Sequence, residues 1–88
     1  MSELSFVAFV VSLASTAAIH LGDRPDPESG KPAAPNLVGA QQMIDILELL
    51  EEKTRGNLRP EERQVLEQVL YELRLRFVQV STGAPAHP

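Results

Sequence analysis

From Leu4 to Leu21 the chain runs for 18 residues without an Asp, Glu, Lys or Arg. Wound at about 100° per residue, the segment gathers Ser5, Ser12, Thr16 and His20 on one narrow seam. Phe6, Val7, Val10, Val11, Leu13, Ala14, Ala17, Ala18 and Leu21 take nearly all the remaining circumference. A helix apolar on so many sides needs several neighbours. A chain of 88 residues has few to offer, because small chains bury proportionately little surface. Covalent staples cannot help: without cysteine there is no disulfide, no thiolate zinc site and no thiol nucleophile.

The same stretch sits near the lower length limit for a membrane span. No Trp or Tyr marks an interface, no Lys or Arg cluster flanks it, and the early charge is Glu3 rather than a base. These features predict a buried helix of a cytoplasmic protein and argue against a span or a signal peptide. Ser2 is the expected N-cap, with the helix running from about Glu3 to Leu21 and Gly22 closing it in the left-handed conformation.

Residues 22–36 read GDRPDPESGKPAAPN, with four prolines and two glycines. This composition predicts a linker with extended character, long enough at ~50 Å fully stretched to leave the docking of the first helix undetermined. Two further periodic blocks follow. Asn36 is a favoured N-cap for a helix to about Arg55, with Ala40, Met43, Leu47 and Leu50 in 3-4 spacing and Ile44, Ile46 and Leu49 widening the stripe. Gly39 falls in the first turn, where a glycine is least harmful, and Gly56 is the expected stop. Pro60 suits a first helical position, with Glu61 and Glu62 well placed for the helix dipole, although Arg59 is a poor N-cap. Leu66, Leu70, Leu73, Phe77 and Val80 step 4, 3, 4, 3 down one face, broadened by Val65, Val69, Leu75 and Val78. This helix should end near Val80.

The short connection predicts an antiparallel hairpin in which facing positions sum to roughly 115. Glu52 then faces Arg63, Lys53 faces Glu62, and Asp45 comes near Leu70 or Arg74. The fold class is therefore all-α: an apolar N-terminal helix (residues 1–22), a Pro/Gly-rich linker (23–36), a helical hairpin (37–80) and a mobile tail (81–88), together one domain.

The run Ile44-Asp45-Ile46-Leu47, then Glu51 to Leu58, then Glu61-Glu62 and Tyr71-Glu72-Leu73-Arg74, resembles a bacterial family of short helical proteins described as domain of unknown function 1844. The likeness extends to the start, where Phe6 through Leu21-Gly22 is similar to a Phe-rich, Leu/Ala-rich helix ending in Leu-Gly. Arg59 departs from the family pattern, which favours a capping residue there. The resemblance implies an all-helical protein with no assigned activity, and it supplies no catalytic residues to carry over.

Charge and motif content narrow the function. Twelve acids against eight bases give a net charge of −4, and Arg63, Arg74 and Arg76 are interleaved with Glu67 and Glu72. No contiguous basic patch or phosphate loop results, so nucleic acid is not an expected partner. His20 and His87 cannot build a metal site by themselves. His20 suits the negative end of a helix dipole. Asp45, in an apolar run, lacks the second group and pocket that acid–base catalysis needs. Neither a cofactor nor catalysis is expected. The leading expectation is a non-enzymatic homo-oligomer, a dimer by preference, assembled as a helical bundle through Phe6, Val10, Leu13, Ala14, Ala17 and Leu21, with an unidentified protein partner meeting Lys53, Arg55 and Asn57 at the turn. The alternative is peripheral membrane or apolar-ligand binding by the first helix.

Overall fold

A computed structural model describes residues 5–25, 28–31 and 34–83. It is all-helical over these residues, with α1 (Phe6–His20), α2 (Leu37–Lys53) and α3 (Pro60–Ser81), each packed on both of the others. Ser2 and Glu3, expected to open the first helix, and the tail end with His87 lie outside the described residues. The N-cap in the structure is Ser5, whose Oγ accepts the Ala8 N–H at 3.0 Å. At the other end the Asp23 N–H reaches the Ala18 carbonyl and the Gly22 N–H reaches that of Ile19, with Gly22 at φ 83°. This pair of bonds satisfies carbonyls that the end of a helix would otherwise leave open.

The linker returns to where it left. The Asn36 N–H donates to the His20 carbonyl at 2.6 Å, so the start of α2 is pinned to the end of α1. The Arg24 guanidinium donates to Ser15 Oγ, and Asp23 bonds Arg76 of α3. Stretched length therefore does not describe this segment; local bonds fix where α1 docks.

Asn36 Oδ1 accepts the Gly39 N–H at 3.0 Å, as expected of the cap of α2. Gly39 has a second reason to be glycine. A Cβ there would stand 2.9 Å from both Nδ1 and Cε1 of His20 and from Asn36 Nδ2. Alanine at an exposed helical position would gain ~0.5–1 kcal/mol over glycine. Here Gly39→Ala should instead lower the melting temperature, because the His20 ring and the cap amide must move. Removing the ring with His20→Ala should make the same substitution less costly, since only the contact with the Asn36 amide then remains. A melt in which Gly39→Ala is more stable than the wild type would contradict this packing.

At the turn, Gly56 has φ 86° and so matches its expected role as a stop. The poor cap at Arg59 is offset from the other side of the box: Glu62 Oε1 accepts the Arg59 backbone N–H at 2.8 Å. The last residues of α2 and the first of α3 line one cleft, while Leu37 and Val38 share another with Phe77. The two helices therefore run past each other in opposite directions.

Nine apolar side chains form the core: Val10, Ala17 and Leu21 from the first segment, Ala40, Ile44 and Leu47 from α2, and Leu66, Leu70 and Leu73 from α3. Phe6, Leu13, Ala14, Leu37, Met43, Leu50, Val65, Val69, Phe77 and Val80 pack around it. This arrangement corrects the reading of α1. Val10, Ala17 and Leu21, expected to meet a second copy, are buried within their own chain, and Phe6, Leu13 and Ala14 pack against that same core. Two helices placed on either side of α1 cover more of its circumference than one hairpin groove would. The polar seam of Ser5, Ser12 and Thr16 is exposed, and of the larger apolar residues on α1 Phe9 and Val11 stay exposed.

Candidate functional site: the outer face of the third helix

Leu75 and Val78 do not broaden the core face of α3. They are 49% and 56% exposed, and Tyr71 is 63% exposed. At about 100° per residue, Leu75 lies on the side of the helix opposite Leu66. Gln64, Gln68, Tyr71, Leu75, Val78 and Thr82 follow one another at steps of 4, 3, 4, 3 and 4 along this outer side, with no charged residue among them. α3 therefore carries two seams, one buried and one turned to solvent. The second was visible in the residue order. Apolar residues of one amphipathic block need not share a face. Leu49, expected to widen the core stripe of α2, is likewise 53% exposed.

Two ion pairs border the outer seam, one on each side of Leu75. Arg74 reaches α2, with Nη2 donating to Glu48 Oε2 at 2.6 Å and Nε to the same oxygen at 3.2 Å. Arg76 reaches the end of α1, where Nε and Nη2 bond the Asp23 carboxylate at 2.6–2.9 Å. The hydrogen bond to Asp23 holds the Arg76 guanidinium above its ordinary pKa, against a smaller opposing effect of burial. Both pairs are partly open to water, so each contributes at most ~1 kcal/mol. Their larger consequence is local neutrality: the two cations nearest Leu75 are matched by carboxylates. Gln68 Nε2 donates to Glu72 Oε1 at 3.2 Å, which ties a third flanking charge to the seam.

The turn places its expected residues differently. A cleft of about 360 Å³ opens between the end of α2 and the start of α3, lined by Glu51, Thr54, Arg55, Leu58, Arg63 and Glu67 among others. Arg55 lines it, whereas Lys53 and Asn57 are exposed without lining it. The expected pairs Glu52–Arg63 and Lys53–Glu62 are not among the salt bridges of the described residues. Glu62 instead caps its own helix. Asp45 is exposed and accepts from Gln41 Nε2 at 2.9 Å, leaving Arg74 to Glu48 a turn later. One turn of helix and the reach of arginine account for the difference.

His20 is occupied by packing against Gly39. Among the described residues no group of three or more His, Cys, Asp or Glu side chains is placed to hold a metal ion. No described helix is long and apolar enough to cross a membrane.

The architecture is that of a small three-helix protein with a buried core and an uncharged outer seam on its longest helix. The chain belongs to the family described as domain of unknown function (DUF1844), whose model matches residues 3–79. The match includes all three helices up to the last residues of α3. No curated protein and no solved structure matches the chain.

Proposed function

We propose that this chain is a non-enzymatic helical protein of the cytoplasm that works through self-association and contact with other proteins, with the outer face of α3 as its docking surface. One observation carries the reading: Tyr71, Leu75 and Val78 line up in the open, on an uncharged seam whose nearest cations are neutralised. These side chains are half to two-thirds exposed, so withdrawing each from water would gain about half of the ~1.5–3 kcal/mol that burying a fully exposed one brings. Contiguous apolar surface rimmed by polar groups is characteristic of docking sites. The expected interface moves from α1 to α3, since the core has already claimed α1.

Light scattering from low to high micromolar concentration tests this reading. The wild-type mass should rise toward that of a dimer, and Leu75→Asp should hold the chain at monomer mass with unchanged helix content. Val11→Asp, an exposed change on α1, should leave association intact. A wild type that stays monomeric throughout the range would refute the proposal.

A further inference from the structure

We infer that the occupant of the outer seam is a second copy of this chain, laid along α3 in the reverse direction with the two-fold axis passing beside Tyr71. The inference rests on the association reading above and adds the partner and its orientation. From Gln64 to Thr82 the uncharged line covers about 27 Å at 1.5 Å per residue. A straight line of that length fits a rod better than a compact knob, and α3 of another copy is such a rod. About an axis beside Tyr71, Gln64, Tyr71 and Val78 of one copy come opposite Val78, Tyr71 and Gln64 of the other, so a reversed copy can lie along α3.

Charge on the flanks selects the direction. Glu67 and Arg74 lie on the same flank of the seam, one heptad apart and opposite in sign. In a reversed copy, Arg74 comes beside Glu67 of the other copy, and symmetry repeats the contact. A symmetric interface of this kind needs a surface that complements itself, which this flank does. With the copies in the same direction, Glu67 would instead face Glu72 across the seam, twice, and like charges at such positions are destabilising. The remaining charged groups nearby are Glu61 and Arg63 at the start of the helix and Arg76, already held by Asp23. Helix dipoles also favour opposed directions. Arg74, bonded to Glu48, would then lie between two carboxylates.

The absence of cysteine makes the arrangement directly measurable, because any introduced thiol stands alone. Gln64 and Val78 each lie seven positions from Tyr71, on opposite sides, and both are exposed. Full-length Gln64→Cys and Val78→Cys variants, checked for helix content and mass, are treated with a short bis-maleimide separately and as an equal mixture. The mixture should give a cross-linked dimer. Either variant alone should give none, since like positions would be separated by about 21 Å along the axis. Efficient linking of Gln64→Cys to itself would show copies in the same direction and overturn the orientation. A dimer by mass that links in no combination would place the contact on another face and overturn the inference as well. Monomer mass for the wild type at every concentration would instead sink the association reading beneath it.

Discussion

Val10→Asp is expected to unfold the entire chain. Val10 is fully buried and belongs to a core that all three helices share. The substitution discards an apolar contact and puts a carboxylate where no partner waits. Loss of the valine contact together with desolvation of the acid should cost more than about 4 kcal/mol. A domain of 88 residues has a total stability of about 4–13 kcal/mol, and a loss of this size removes all of it toward the lower end of that range. The adjacent change Val11→Asp alters a side chain that is 47% exposed and should stay near ~0.5 kcal/mol. Far-UV circular dichroism during urea titration separates the two. Were α1 docked on another copy instead, Val10→Asp would leave a helical monomer with its hairpin intact. That outcome would contradict the packing described here.

Leu47→Ala and Leu49→Ala make the second contrast. The two leucines are neighbours in sequence and identical in chemistry, yet Leu47 is fully buried between the helices and Leu49 is 53% exposed. Truncating a buried leucine removes transfer energy and leaves a cavity, for a cost of ~2–5 kcal/mol. The same change at Leu49 should cost under ~1 kcal/mol. Equal destabilisation of the pair, measured by denaturant midpoint at unchanged slope, would mean that α2 presents a different face to the core.

Much of the molecule was legible before its structure. Asn36, Gly56 and Pro60 punctuate the helices as their backbone chemistry requires, and these signals act over a few residues. The 4-3 spacing of Leu66, Leu70, Leu73, Phe77 and Val80 identified the face of α3 that turns inward. Three features escaped. The Ser5 cap of α1 has no distinguishing signal in the residue order, since Ser2 offers the same chemistry on paper. Glu62 suits the helix dipole, and its three-residue spacing also lets it bond the Arg59 amide. Leu75 and Val78 lie outside the core, and apolar character alone does not say which side of a helix is covered.

Local rules are short in range, and they determined what could be read from residue order alone: an all-α chain of three helices, their stops, and the inward face of each of the last two. The tertiary structure decided who covers whom. The bond from Asn36 to His20 and the ion pair between Asp23 and Arg76 join positions 16 and 53 residues apart. They bring α1 into its own core, where burial of Val10, Ala17 and Leu21 removes the need for a second copy at that face. Once those apolar residues are spent inside, the outer seam of α3 is left as an uncharged line in the open among the described residues.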